Sequence, residues 1–379
     1  MANHPPTGAP RTGNEPPALE ARGFGIRNRA EWALRHCDFR VPPGRVAGLV
    51  GPNGDGKSSL LAVAAGLRTP TEGRLRVLGH RPGTGAVLPR VGLLLQDRPL
   101  HAGFTVAETL RYGREMNPLW DDASARAVVA DADVPLRAKV GQLSGGQRTC
   151  VALALALGKR PDLLLLDEPM ADLDPLRRHA MMAALMTTAA ERGTTVVMSS
   201  HILAELDLVC DYVLLMARGR MLVADDVEFV QAAHTLVTHT LDDRGTSGAR
   251  ADGGPRGDGD PRGDGDPRGD GDPRADGDPR APHRARARPD AAAPLPDALL
   301  GHTVVEARTT GRQLTAMLQL PASLDRTVRA ETPTLEEILL AYLRNPQAPP
   351  LLAPADEPLT RPADQPRVHH HRSDPDPGR

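Results

Sequence analysis

The chain has 379 residues, of which 46 are Lys or Arg and 48 are Asp or Glu, so the formal net charge is −2. This balance gives no electrostatic sign of a nucleic-acid partner or of an anionic membrane surface. The cysteines Cys37, Cys150 and Cys210 lack the spacing of metal ligands or paired disulfides. The longest apolar stretches fall far short of the roughly 20 residues that a membrane-spanning helix needs, and the N-terminus lacks the apolar region of a signal peptide.

Composition divides the chain into five parts. Residues 1–17 are rich in Pro and Gly and are expected to form a disordered tail, whereas 18–241 alternate strand and helix patterns, as in an α/β domain. Residues 242–298 contain GDGDPR repeats that cannot bury apolar area, which predicts a flexible linker. A small α+β accessory region is expected at 299–345, followed by a Pro-rich disordered tail at 346–379.

The accessory region carries its own local signals. Two stretches, His302–Glu306 and Gln313–Leu320, read as strands with Gly311 in the turn between them. Thr334 and Glu337 stand three residues apart before an apolar run, which is the pattern of a capping box at the start of a helix.

The first chemical signal is a Gly-rich loop between a predicted strand, Arg45–Val50, and a predicted helix that starts near Lys57. Glycines at these positions let backbone N–H groups turn around a phosphate, and the helix N-terminus adds the positive end of its dipole. Lysine can reach the β- and γ-phosphates, and the serine hydroxyl can bind Mg²⁺. The residues predicted to bind ATP here are Gly51, Pro52, Asn53, Gly54, Asp55, Gly56, Lys57, Ser58 and Ser59.

A second signal follows about a hundred residues later. Leu163–Leu166 is a continuous apolar run, as expected of a strand buried on both faces of a parallel sheet, and Thr194–Ser199 is another such strand. Asp167 follows the first of these strands directly, so its carboxylate is suited to hold Mg²⁺ together with Ser58.

Further motifs stand in a fixed order along the chain. Gln96 comes first, then the run LSGGQ, then Glu168 in LLLLDEP, then LDP, and finally His201 in SSH. In this order and spacing the motifs resemble those of the ATP-binding subunits of ABC transporters. The fold implied is an α/β P-loop ATPase of the ABC type with an inserted helical subdomain at about 97–142. The signature motif is Leu143, Ser144, Gly145, Gly146 and Gln147, and the D-loop contains Leu173 and Asp174.

The resemblance implies a role for each motif. Glu168 would be the general base for the attacking water, and His201 would hold the γ-phosphate and the water in line. Gln96 would contact ATP and Mg²⁺ and connect them to the helical subdomain, whose surface would receive a helix of the membrane subunit. The protein would therefore be an ATP hydrolase of the translocase type, with ATP and Mg²⁺ as its cofactors.

The same resemblance implies partners. Two such domains close head to tail, so Ser144 and the amides of Gly145 and Gly146 would contact the ATP held by the other copy. The chain holds one copy of each motif, so the second site must come from an identical or a related subunit. A separate transmembrane permease would hold the pair at the cytoplasmic face of the membrane, and no nucleic acid is expected.

Two positions depart from the family pattern. Asn28 stands where a tyrosine that stacks on adenine is common, and Phe24 and Trp32 are nearby aromatic residues that could replace it. Asp55 places a carboxylate inside the phosphate loop, where it would repel phosphate unless it points to solvent or to the partner. A modest weakening of nucleotide affinity is expected from it.

The leading hypothesis is an ATPase subunit that drives transport, in the export direction, because the C-terminal run TPTLEEILLAYLR resembles bacterial export subunits. Import fits the same core. A soluble ATPase of the same family that acts in translation or DNA maintenance is an alternative, although long coiled coils and tandem cassettes are missing from the sequence. A third reading is a regulatory module that binds ATP without hydrolysing it, against which the intact Glu168 and His201 argue.

Overall fold

In the computed structural model, the described residues are 15–28, 31–203, 206, 209–240, 299, 301–319 and 329–353. They form three sheets and the helices that cover them. The strands are β1 (Leu19–Asn28), β2 (Glu31–Val41), β3 (Val46–Val50), β4 (Glu72–Val77), β5 (Val91–Leu94), β6 (Leu163–Leu166), β7 (Thr195–Ser200), β8 (Tyr212–Ala217), β9 (Arg220–Asp226), β10 (His234–Thr240), β11 (Thr303–Thr310), β12 (Gln313–Gln319), β13 (Arg329–Glu331) and β14 (Leu351–Leu352). The helices are α1 (Lys57–Ala64), α2 (Val106–Met116), α3 (Asp122–Asp131), α4 (Gly145–Gly158), α5 (Pro175–Arg192), α6 (Val227–Ala232) and α7 (Leu335–Arg344).

The central sheet has seven strands in the order β14-β9-β8-β3-β7-β6-β5. Strands β8, β3, β7, β6 and β5 are parallel, and β9 pairs with β8 in the antiparallel sense. The sequence predictions of β3, β6 and β7 are confirmed, with β7 displaced by one residue. This parallel sheet of apolar strands with helices on its faces confirms the predicted α/β fold.

Strand β6 shows why this sheet must be covered on both sides. Its side chains alternate between the two faces, as in any extended strand. Leu164 and Leu166 pack into the core that contains α4 and α5, whereas Leu163 and Leu165 pack into the core beneath the antiparallel sheet β2-β1-β4. All four leucines are fully buried, so both faces supply hydrophobic stabilisation.

Between β5 and β6 the chain forms the helices that the sequence predicts. Helix α2 begins with a capping box, in which Thr105 and Glu108 satisfy each other's backbone N–H groups. Helix α2 and helix α3 pack against α4 in a separate small core that includes Leu110, Val129 and Val151. Among the described residues, no helix is both long and apolar enough to cross a bilayer.

The C-terminal region departs from its predicted place in the molecule. The strands β11 and β12 and the capped helix α7 form where the sequence predicts them. However, β12 pairs with β10 of the preceding domain, and α7 buries Ile338, Leu339 and Tyr342 in the same core as α4 and α5. His234 at the start of β10 contacts the Tyr342 hydroxyl through Nε2 at 3.1 Å. The region at 299–345 is therefore part of the main fold and not a detached accessory piece.

The prediction of a disordered tail from 346 onward is wrong for its first residues. Ala348 is 2% exposed, and β14 at Leu351–Leu352 extends the central sheet by parallel pairing with β9. Apolar side chains in a Pro-rich stretch still bury when a sheet edge is available to accept them. The predicted linker at 242–298 lies outside the described residues.

We expect Leu339→Ala to lower the free energy of unfolding of the whole domain by about 2–5 kcal/mol, because it opens a cavity in the main core. Urea unfolding followed by circular dichroism measures this change. Glu336→Ala, on the exposed face of the same helix, is the control and should cost less than about 1 kcal/mol. An unchanged midpoint for Leu339→Ala would mean that α7 is not part of the cooperative unit.

Candidate nucleotide-binding site

The Gly-rich loop lies where the sequence predicts it, between β3 and α1. Gly54 and Gly56 have φ angles of 91° and 95°, in the left-handed region that residues with a Cβ rarely adopt. A Cβ on Gly51 would come within 2.4 Å of the backbone oxygen of Met216 on β8. The loop therefore depends on glycine both for its turn and for its close approach to the neighbouring strand.

Lys57, the first residue of α1, lies inside this loop. Its Nζ donates hydrogen bonds to the carbonyl oxygens of Gly51 at 2.6 Å and Pro52 at 3.0 Å. The side chain is 6% exposed, and burial lowers the pKa of Lys57, an effect that the charges of Glu168 and Asp167 oppose. The ammonium group is thus held at the loop by backbone oxygens and is close enough to the carboxylates to be stabilised by them.

A hydrogen-bonded network joins the ends of β6 and β7. The Ser199 hydroxyl donates to Asp167 Oδ1 at 2.7 Å and accepts the backbone N–H of Glu168 at 2.8 Å. Glu168 Oε2 in turn lies 2.6 Å from Nδ1 of His201. One serine therefore positions both acidic residues, and the predicted base is already paired with the predicted histidine.

Glu168 occupies an unusual backbone conformation. Its φ is 49°, in the left-handed region, which costs a non-glycine residue on the order of 1–3 kcal/mol. Its side chain is 11% exposed, whereas that of His201 is 52% exposed. The hydrogen bond from its own N–H to Ser199 holds this conformation, which turns the carboxylate towards the cavity.

These residues line a cavity of about 450 Å³, within the roughly 300–1,000 Å³ that small-molecule sites occupy. Most of the predicted ATP-binding and catalytic residues meet there, and Asn28 joins them. The lining residues are Asn28, Asn53, Gly54, Gly56, Lys57, Ser58, Ser59, Gln96, Glu168, Ala171 and His201.

The adenine contact predicted for Phe24 is wrong, because its ring is fully buried in the core under the antiparallel sheet. Trp32 does not line the cavity within the described part of the chain. Its ring lies below the guanidinium groups of Arg27 at 5.9 Å and Arg35 at 5.1 Å, and its role towards adenine stays a prediction. Asn28 faces the cavity instead and approaches the Ser59 hydroxyl at 3.5 Å.

Asp55 is directed away from the phosphate loop. Its Oδ2 accepts the backbone N–H of Arg218, in the turn between β8 and β9, at 3.0 Å. Arg218 has a φ of 50°, so the carboxylate stabilises a strained turn. The carboxylate therefore turns to a loop of its own chain, an orientation that differs from the solvent or the partner subunit that the sequence suggests.

The signature motif lies outside the cavity. Ser144 caps α4, accepting the N–H of Gln147 at 3.2 Å, while Gln147 Oε1 accepts the N–H of Ser144 at 3.1 Å. Leu143 is buried among α2, α3 and α4 and anchors the motif. Within the described residues none of 143–147 lines the cavity.

The D-loop lies beside this helix start. Leu173 is 4% exposed, and Asp174 caps α5 by accepting the N–H of Arg177 at 3.0 Å. A Cβ on Gly146 would lie 3.1 Å from the backbone oxygen of Asp172. The signature and the D-loop of one chain therefore touch each other.

Ser199 is a residue of the site to which the sequence assigns no role. It was read only as part of a buried strand, yet its side chain organises Asp167 and Glu168. The signal was available, because a serine in a strand whose residues are all buried must find a hydrogen-bond partner.

Because a glycine loop wraps a buried lysine at a helix start, and the carboxylates of β6 face it, the fold and the site define a P-loop nucleoside triphosphatase. A family model described as ABC transporter matches residues 34–171. The aliphatic sulfonates import ATP-binding protein SsuB of Escherichia coli (strain K12) is 37% identical over 192 residues, covering 50% of this chain and 72% of that protein. The chain belongs to the ABC transporter family, as an ATP-binding protein that hydrolyses ATP.

Other comparisons agree on this family. The Nod factor export ATP-binding protein I of Rhizobium sp. (strain N33) is 35% identical over 191 residues, covering 48% of this chain and 62% of that protein. A solved structure described as the ATP binding subunit of an ABC transporter matches with a TM-score of 0.52 and 25% identity, covering 56% of this chain and 92% of that one. These relatives are transport proteins of both directions, and they give no support to a role in translation or DNA maintenance.

We expect Ser199→Ala to lower kcat for ATP hydrolysis by about 10–100-fold, because it frees Asp167 and Glu168 from their shared hydroxyl. A phosphate-release assay with the purified protein measures it. Ser200→Ala is the matched control, since the Ser200 hydroxyl bonds only to the backbone of Ile202, and its kcat should stay within about twofold of the parent. Equal losses in both variants would rule out a specific role for Ser199.

Proposed function

We propose that this chain is the ATPase subunit that energises transport through a separate membrane permease, acting at the cytoplasmic face of the membrane. The observation that carries this proposal is the position of the signature motif. Ser144 is exposed at the start of α4, and the motif does not line the chain's own nucleotide cavity. A phosphate-binding helix start outside the cavity makes chemical sense when a second ATP-binding subunit brings its own nucleotide to it.

The residues around the cavity suit the hydrolysis of ATP. Lys57 and the loop amides bind the phosphates, and the Glu168 carboxylate accepts the proton of the attacking water. The contact between Glu168 and His201 keeps the base and the histidine together, so the histidine can hold the water and the γ-phosphate in line. Gln96, on the loop after β5, couples the binding of ATP at this site to the position of the helices α2 and α3.

Three oxygen-bearing side chains near the cavity fit a magnesium ion. Ser58, Gln96 and Asp167 offer the oxygen ligands that Mg²⁺ prefers, and no cluster of three His, Cys, Asp or Glu in the described ranges competes with them. Mg²⁺ is commonly bound by one or two carboxylates together with phosphate oxygens, so such a sparse set is sufficient. The ion, when bound, neutralises charge on the β- and γ-phosphates.

We propose export as the direction of transport. The support is the resemblance of the run TPTLEEILLAYLR, which contains α7, to bacterial export subunits. One relative above is named for export and another for import, so the names alone favour neither direction. The subunit that supplies the second signature is an identical or a related chain.

Glu168→Gln tests the proposal, because the substitution removes the carboxylate that acts as the base. The glutamine amide that replaces it can still form hydrogen bonds. We expect hydrolysis to fall by about 10²–10⁴-fold and the protein to form a stable dimer with Mg-ATP. Gel filtration with light scattering measures the dimer, and affinity purification from solubilised membranes with mass spectrometry identifies the permease.

The control is Lys57→Ala in the Glu168→Gln background, which should bind no ATP and remain monomeric. Recovery of a multi-span membrane protein only with ATP and only without the Lys57 change supports the proposal. Recovery of ribosomal or DNA-bound proteins with no membrane protein would refute it.

A further inference from the structure

Arg98 is buried beside the cavity loop and no part of the proposed mechanism uses it. It follows Gln96 by two residues and has a φ of 44°, in the left-handed region. Its own backbone bonds to Leu95 and Leu100 fix this turn, at 3.1 Å and 2.7 Å. A strained, hydrogen-bonded turn of this kind sends the side chain inward, and only 10% of it is exposed.

The single charged partner of Arg98 in the described part of the chain is Asp172. Arg98 Nη1 donates a hydrogen bond to Asp172 Oδ2. The other guanidinium nitrogens, Nε and Nη2, are buried and have no hydrogen-bond partner among the described residues. The ion pair therefore joins the loop that carries Gln96 to the segment just before the D-loop.

Asp172 places this ion pair between the nucleotide cavity and the D-loop. It follows Ala171, which lines the nucleotide cavity, and precedes Leu173 of the D-loop. It also packs on the start of α4. A Cβ on Gly145 would lie 3.3 Å from the Cβ and 3.5 Å from Oδ2 of Asp172. The carboxylate is therefore next to the helix start that we propose binds the γ-phosphate of the partner subunit.

The charge of Asp172 would be unfavourable there without Arg98. A carboxylate near the signature amides competes with an incoming phosphate for the positive end of the helix dipole. It also repels that phosphate directly, since the side chain is 46% exposed and solvent screens it only in part. Arg98 neutralises this charge and at the same time ties it to the loop that carries Gln96.

We propose that Arg98 and Asp172 form a positioning pair that links the Gln96 loop of a chain to its own signature helix, and that Arg98 shields the signature from the Asp172 carboxylate. The inference rests on the proposed function in so far as it concerns the partner's phosphate. The link within one chain does not depend on it.

The test uses the full chain in the Glu168→Gln background. We expect Arg98→Ala to raise the protein concentration for half-maximal ATP-driven dimerisation by about tenfold, while the Kd of the monomer for a fluorescent ATP analogue changes less than twofold. Adding Asp172→Asn to Arg98→Ala removes the unshielded charge and should restore dimerisation to within about threefold of the parent. The defect of Arg98→Ala should also shrink at high salt, which a purely structural defect would not do.

Arg90→Ala is the matched control, because Arg90 pairs with Asp162 at 2.6 Å and contacts neither Gln96 nor the signature. It should leave dimerisation unchanged. Thermal melting of each variant verifies that it is folded. If the double variant dimerises as poorly as Arg98→Ala, or worse, the shielding proposal is wrong. If Arg98→Ala raises the Kd for the ATP analogue as much as it raises the concentration for dimerisation, the effect lies at the loop around Lys57 and the proposal is also wrong.

Amide hydrogen exchange in the monomer without nucleotide tests the link separately. Arg98→Ala should speed exchange both at 96–100 and at 143–148, and Arg90→Ala should speed neither. If the parent does not dimerise with ATP, the proposed function fails, while faster exchange in both segments still supports the link. Unchanged exchange at 143–148 would refute the link whether or not dimers form.

Discussion

Parallel pairing among β3, β7 and β6 brings the carboxyl ends of three strands together at one edge of the sheet. The pairing places Val50 beside Ser200 and Leu166 beside Met198. Each strand then delivers a different chemical group, since β3 leads into the phosphate loop, β6 into the acidic pair and β7 into the serine and histidine. Everything proposed for ATP hydrolysis depends on this register, because a shift by one residue would send the side chains of a strand to the opposite face of the sheet.

The site is held by backbone groups and one buried hydroxyl more than by charge pairs. Lys57 is bound by two carbonyl oxygens, and the Glu168 backbone is bound by Ser199 in a conformation that residues with a Cβ seldom adopt. Such strain persists only where the surroundings over-determine it. Here the surroundings are fully buried strands, so the sheet supports a strained residue, Glu168, at its edge.

The signature helix is surrounded differently from the cavity. The signature helix packs on α2 and α3 through Leu143, while the D-loop and the Gln96 loop meet it through Asp172 and Arg98. The C-terminal helix α7 packs in the main core, and Leu340 and Leu343 line a groove with Pro52 and His201. Pro52 of the phosphate loop and His201 therefore lie beside a helix that comes late in the chain.

The sequence by itself determined the parts whose chemistry is local. Three elements can be predicted from a few consecutive residues: the loop around Lys57, the apolar strand β6 and the capping box of α7. Turn geometry, two-sided burial and helix caps depend on near neighbours in the sequence. The order of the motifs also pointed to Glu168 and His201, whose side chains lie 2.6 Å apart in the fold.

Only the tertiary structure decided which distant groups meet. It buried Phe24, turned Asp55 towards Arg218, gave Ser199 two partners, and merged the C-terminal helix with the main core. None of these contacts can be predicted from a local sequence pattern, because each joins segments that are far apart in the chain. Which faces meet depends on the packing of the whole sheet, and that packing is a property of the folded chain.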